Sequence, residues 1–304
     1  MPYHYTTGGS PLPTVTFEFF RFRFHFRALD ALFFPPGKSA NLLRGAFGIL
    51  LRDTATPTEY ARLFRPGAEL AASPSGLADW PRPFVFRASH LDGSHLPPGG
   101  GFFVDVHVFE TRAPTLPRFR SAFAQLPVQG IGPGRGRAEL LGVDRLDLED
   151  HASPAPDDLT SPTVIPLDPG PDPVGRVRIR FLTPTELKAA GRLAEQPGFP
   201  VLFGRLRDRI STLRALYGAG PLDLDFQATA ARAAQVRTVA SELAWVHLER
   251  KSGRTGQVHP LGGFTGEAEY AGDLAEFLPF LLAARWVGVG RHTVWGKGDI
   301  RVLP

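Results

Sequence analysis

Cysteine is absent from this chain of 304 residues. That absence removes disulfide scaffolds, cysteine-ligated zinc, iron–sulfur clusters and thiol nucleophiles, and it fits a reducing cytoplasm. Long apolar runs are missing as well. No stretch of about eighteen residues is free of charge and proline, so no membrane span is expected. The first residues, Met1-Pro2-Tyr3-His4-Tyr5, lack the charged-then-apolar order of a secretory signal. Clustered metal ligands are also lacking. His90 and His95 share a loop without carboxylate or cysteine partners at ligand spacing, and the acidic residues after Leu148 read as a solvated stretch. Neither a metal nor another cofactor is expected.

Apolar residues make up 43% of the chain and aromatic residues 11%, which suits a folded protein with two ordinary domains. The formal charge is +4 and the pI about 9.7. Arginine dominates that excess and is clustered, and its planar fork grips phosphate oxygens well.

The densest cluster of special residues is the run from Gly288 to Asp299, where glycines alternate with Arg291, His292 and Lys297. Leu274, Phe277, Leu278, Leu281 and Leu282 ahead of it have helical spacing, and residues 300–303 alternate as a short strand. The order is therefore helix, glycine loop, strand. Such a loop either makes a tight turn or holds an anion against its amides and cations. It is not a P-loop, because five residues rather than four separate Gly290 from Gly296-Lys297, and Gly298 stands where Ser or Thr should hold magnesium. A dinucleotide fingerprint runs strand, glycines, helix, the reverse of this order.

The clearest strand lies near the start. Phe20, Phe22, Phe24 and Phe26 alternate with Arg21, Arg23, His25 and Arg27, so the rings share one face and the cations the other. This reads as a half-buried strand whose outer face is either solvated or lined for a polyanion. A helix is expected over 39–53, with Gly45 and Gly48 inside it as sites of close packing. Strands are expected over 83–87 and 101–109, a helix over 119–126, a Gly/Arg-rich loop over 130–137, and strands over 138–141 and 143–148. Residues 151–173, rich in Asp and Pro, read as a linker between domains at 1–150 and 174–304. The second half repeats the pattern. A strand has Arg176, Arg178 and Arg180 on one face, a helix covers 202–217, strands cover 243–250 and 264–270, and a basic turn lies between those two. Each half thus reads strand, helix, strand, strand, helix, glycine loop, strand. The expected fold is α+β, with tandem ferredoxin-like βαββαβ domains.

Several segments resemble the RAMP superfamily of CRISPR-associated proteins, in the branch that processes repeat RNA. They are Arg180-Phe181-Leu182-Thr183-Pro184-Thr185-Glu186-Leu187-Lys188, Leu261-Gly262-Gly263-Phe264-Thr265-Gly266, Tyr270, and Gly288-Val289-Gly290 with Gly296-Lys297-Gly298. Leu43-Arg44-Gly45-Ala46-Phe47-Gly48 and the loop at 130–137 match more loosely. The resemblance implies a metal-independent endoribonuclease that cuts precursor RNA within the repeat by attack of the ribose 2′-hydroxyl. It implies a proton-transfer group and a cation to steady the transition state. Many relatives place a histidine on or near the first helix, and residues 39–53 contain none. The candidates are His292, then His25 with Lys38 as charge stabiliser. Phosphate contacts would come from Arg21, Arg23, Arg44, Arg135, Arg137, Arg291 and Lys297, and Arg250, Lys251 and Arg254 would grip a repeat stem. The alternative is a non-catalytic RAMP subunit that holds guide RNA among other effector subunits. A metabolic enzyme with a small phosphorylated ligand is a third class, which cationic open sheets argue against. A monomer or homodimer is compatible with either RNA-binding reading.

Overall fold

The structure is a computed structural model that describes residues 15–67, 80–132, 134–189, 191–194, 196–251 and 258–304. In the first unit, β1 spans Thr16–Ala28 and is followed by α1 (Ser39–Thr54) and α2 (Pro57–Phe64). Next come β2 (Phe84–Arg87), β3 (Gly101–Val108), α3 (Leu116–Phe123) and β4 (Ala138–Leu146). The antiparallel sheet order is β2-β3-β1-β4.

Two short strands follow, β5 (Ala152–Pro154) and β6 (Thr163–Pro166). The second unit then runs β7 (Arg176–Thr185), α4 (Phe199–Tyr217), α5 (Phe226–Ala233) and β8 (Arg237–Val246). A hairpin of β9 (Glu249–Lys251) and β10 (Val258–Pro260) leads to β11 (Gly263–Ala271), α6 (Leu278–Val287) and β12 (Ile300–Leu303). Its sheet order, β8-β11-β7-β12, repeats that of the first unit. Both units are therefore ferredoxin-like, with the expected βαββαβ order.

The even face of β1 carries the first core. Phe22, Phe24 and Phe26 are almost wholly buried among Leu43, Phe47 and Leu51 of α1 and Phe119 and Phe123 of α3. Phe47 and Phe119 stack at 4.3 Å. The helix stripe at spacings of three and four meets the strand stripe at spacing two, which is the physical content of the unit.

Some elements differ from the sequence expectation. Residues 151–173 are not a plain linker, because β5 pairs with β4 and β6 pairs with the start of β1. Ile165 on β6 is fully buried, but the surrounding Asp, Pro and Ser hide so short an edge strand. The two strands expected over 138–148 are one, with a bulge where the register with β1 passes from Leu140 to Gly142. The strand expected over 243–250 lies earlier, because residues 237–242 are exposed at a sheet edge and show no apolar alternation. Gly48 does allow close packing, since a Cβ there would lie 2.2 Å from the Phe64 ring, whereas a Cβ at Gly45 would meet nothing within 4 Å.

The units meet through the odd face of β1. Phe17 and Phe19 are buried in the second core, and Phe19 packs on Trp286 of α6 at 5.9 Å. The last carbonyls of α6 are capped from both sides. Arg285 O accepts from Arg87 Nη2 at 3.3 Å and Arg301 Nη1 at 3.1 Å. Trp286 O accepts from His107 Nδ1 at 2.9 Å, and Val287 O from Arg209 Nε at 3.1 Å. These are the carbonyls a helix leaves without internal partners, at its negative end.

Two outcomes are expected. Gly45→Ala stabilises the protein by about 0.5–1 kcal/mol, because it only stiffens an open helix position. Gly48→Ala destabilises it by about 1–3 kcal/mol by overpacking Phe64, and equilibrium denaturation compares the two. Burial beside Arg21 and Arg87 holds His107 well below its ordinary range, so the ring is neutral when folded. The unfolded chain then takes up a proton below pH of about 6.5 that the folded chain refuses, so stability is lost as pH falls below that value. Thermal melts from pH 7.5 to 5 should show this decline, and His107→Asn, which keeps a donor for Trp286, should flatten it.

Candidate active site

The capped end of α6 launches the glycine loop. Gly288 turns with φ 74°, and Val289 N donates to Gly298 O at 2.9 Å, closing a ring. The ring lies on the end of β7, where Arg291 N donates to Glu186 O at 3.0 Å and Gly298 N to Pro184 O at 3.2 Å. Two glycines are required by contact as well as conformation. A Cβ at Gly290 would lie 2.4 Å from Glu186 O, and one at Gly298 would lie 1.9 Å from Val289 O, both at positive φ. The amides of Val289, Arg291 and Gly298 are thus spent on closing and seating the loop, which leaves phosphate recognition more to side chains than the sequence implied.

The middle of the loop rests on the first unit. A Cβ at Gly296 would lie 2.5 Å from that of Ala40, in the first turn of α1. Lys297 Nζ donates to Gly37 O at 2.9 Å. Desolvation, with Lys38 nearby, pushes the Lys297 ammonium down to about 8, while Asp92 acts the other way. Asp92 also holds the helix start by accepting from Ser39 N at 3.0 Å and from Ser39 Oγ. His292 adopts the left-handed conformation at φ 62°. Its half-buried ring stacks on Trp295 at 4.6 Å and 8°. Arg44 of α1 lies 5.9 Å from the Trp295 ring and 4.2 Å from that of Phe64. The structure therefore brings His292, Lys38, Arg44 and Lys297 to one junction between the loop and the start of α1.

The other expected residues lie elsewhere. His25 is on the outer face of the first sheet, opposite α1, with Nε2 2.8 Å from Asp144. Arg23 forks onto Asp105 at 2.7 and 2.8 Å. Arg21 is buried and donates to Asp147 O and Asp150. Arg137 forks onto Asp30 at 2.8 and 2.9 Å, lowering that carboxylate to about 2. Arg135 is exposed and forms no ion pair among the described residues. Arg291 pairs with the buried Glu186. Lys297, expected to hold phosphate, faces the Gly37 carbonyl rather than solvent. Arg250 and Lys251 lie in β9, paired with His259 and Val258 of β10, while Arg254 falls outside the described residues.

The open sheet faces are consequently not bare cationic surfaces. Arg27 pairs with Glu139, Arg176 with Glu269 and Arg180 with Glu267. Each carboxylate sits on the neighbouring strand, far away in sequence. Asp147, Glu149 and His151 bring ligand atoms within 4.8 Å of one another on an exposed turn. Hydrogen bonds from the His151 and Glu149 amides and from His151 Nδ1 already occupy Asp147.

Sequence reasoning missed Trp295, Asp92 and Arg209. Trp295 stood inside the glycine run and was legible as an aromatic beside His292. Asp92 and Arg209 had no local signal.

The family described as CRISPR-associated endoribonuclease Cas6 matches residues 179–300, and a second family model, described as an N-terminal domain, matches residues 17–161. The Cas6 family model thus covers most of the second unit of this chain. Its fold is similar to that of a Thermus thermophilus Cas6 in a product complex, at 19% identity over 94% of this chain and all of that one, with a TM-score of 0.59. A second Cas6 product complex aligns at 18% identity over 93% of this chain and all of that one, with a TM-score of 0.55. A chain of a partial Cas6-RT-Cas1–Cas2 complex aligns at 11% identity over 94% of this chain and 46% of that one, with a TM-score of 0.59. No curated protein matches the chain in sequence. The Cas6-like fold thus extends over nearly the whole chain, and no helix among the described residues is long and apolar enough to cross a membrane.

Proposed function

We propose that the chain is an endoribonuclease that cuts CRISPR repeat RNA without a metal. The ribose 2′-oxygen bonds to the adjacent phosphorus while the bond from phosphorus to the 5′-oxygen breaks. The products are a 2′,3′-cyclic phosphate and a 5′-hydroxyl. One group removes the 2′ proton, another protonates the departing 5′-oxygen, and a cation steadies the added negative charge. The observation that supports this reading is the seating on α1 of the loop that carries His292, through Gly296 against Ala40 and Lys297 on the carbonyl of Gly37, the residue before Lys38. His292 serves proton transfer, for which an imidazole is suited near neutral pH. Lys38 supplies charge, and Lys297 positions the turn that carries it. His25, whose ring nitrogen lies 2.8 Å from Asp144 on the opposite face of the sheet, stands apart from this set. The partner is the repeat RNA, and a role as a non-catalytic guide-binding subunit would appear as binding without cutting.

The test uses labelled repeat RNA in EDTA, beside the same RNA with a 2′-deoxy sugar at the cut. A single cut in EDTA that the deoxy sugar abolishes is expected. His292→Ala should slow cutting by roughly 100-fold or more with binding retained, as loss of a proton-transfer group does, whereas His25→Ala should slow it by less than about threefold. The reverse order would move the site to the outer face of the first sheet. Tight binding by the unaltered chain with no cut would instead favour the non-catalytic subunit.

A further inference from the structure

A cleft of about 610 Å³ opens between the glycine loop and α4, lined in part by Trp80, Lys188, Arg205, Arg209, Arg291 and His292. The volume falls within the range of roughly 300–1,000 Å³ typical of sites for small organic groups. The cleft is continuous with the site above, because His292 belongs to both.

Its electrostatics are unlike those of the sheet faces. There, Arg27, Arg176 and Arg180 are each matched by a carboxylate on the next strand. Here, Arg209 stands at the cleft with its Nε on the Val287 carbonyl and no ion pair among the described residues. Desolvation, with Arg87 nearby, pushes its guanidinium down to about 9. Lys188 likewise forms no ion pair among the described residues, and its carbonyl receives Arg205 Nε at 2.8 Å. Of the carboxylates, Glu186 is buried against Arg291, and Asp208 is shared by Arg207 and Arg205. Positive charge is therefore left over, and part of it has been taken out of water where an anion would stabilise it. The same cleft also offers aromatic surface, from the Trp80 indole and from the His292 ring stacked on Trp295. An anionic group attached to a flat ring is the ligand chemistry these two features select together, and bases stack on such rings whatever their identity.

We infer that this cleft is a nucleotide subsite that takes one unstacked nucleotide of the bound RNA next to the scissile bond, its base against Trp80 and its phosphate toward Lys188, Arg205 and Arg209. The inference rests on the proposed RNA-processing function. It adds that one base beside the cut is held out of the strand, so that the chain senses the presence of a base there.

The experiment measures dissociation constants for uncleavable 2′-deoxy repeat RNAs in which each base near the cut is removed in turn. Against unaltered protein, one abasic position should weaken binding about tenfold, the size of one lost base–aromatic stack. In Trp80→Ala that same position should cost no further affinity, because the partner is already gone. Lys188→Glu with Arg205→Glu, both on partly exposed side chains, should weaken every RNA about tenfold or more while the thermal melt stays in place. The inference is overturned if no abasic position is sensitive, or if the abasic and Trp80→Ala penalties simply multiply. An unaltered protein that neither binds nor cuts any repeat RNA would overturn the functional reading itself, which is a distinct outcome.

Discussion

The geometry of this protein depends on how the last turn of α6 ends. A helix terminus presents carbonyls that nothing inside the helix can satisfy, and here that terminus is buried between two units. Arg87 and His107 reach it from the first sheet, and Arg209 and Arg301 from the second unit. The negative end of the helix is thus neutralised by donors from both sides. This fixes the direction in which the chain leaves the helix, and the glycine loop follows at once. Loop closure from Val289 to Gly298 and the bond from Lys297 to Gly37 then carry that direction to the start of α1. The candidate site is a consequence of the joint between the units, because the glycine loop belongs to the second unit and α1 to the first.

A second constraint decides which cations are available to a ligand. The chain holds 34 Lys and Arg residues against 30 Asp and Glu, so most cations have a carboxylate to find. On the sheet faces Arg27, Arg176 and Arg180 find one across the strand. Such exposed pairs add little stability individually. Near the loop and its cleft, Lys38, Lys188 and Arg209 form no ion pair among the described residues.

Much of the fold was legible in the sequence. The alternation from Phe20 to Arg27 and the stripe of Leu43, Phe47, Leu50 and Leu51 specify elements whose apolar faces must meet, and the order repeats in the second half. The glycine loop was legible because Gly290 and Gly298 leave no room for a side chain. What was not legible is pairing across long separations. Arg23 meets Asp105 and Arg180 meets Glu267, and period two shows that arginines share a face without showing what the next strand places opposite them. For the same reason His25 looked available, although Asp144 lies beside it. The role of Lys297 was hidden because its partner, Gly37, is 260 residues away. The strand at 163–166 was masked by the Asp and Pro around it.

The most direct measurement is a structure of the complex with repeat RNA carrying a 2′-deoxy sugar at the cut. The scissile phosphate is expected at the junction of the glycine loop and α1, within hydrogen-bonding reach of His292 and near Lys38. A scissile phosphate on the outer face of the first sheet, beside His25 and Asp144, would contradict it.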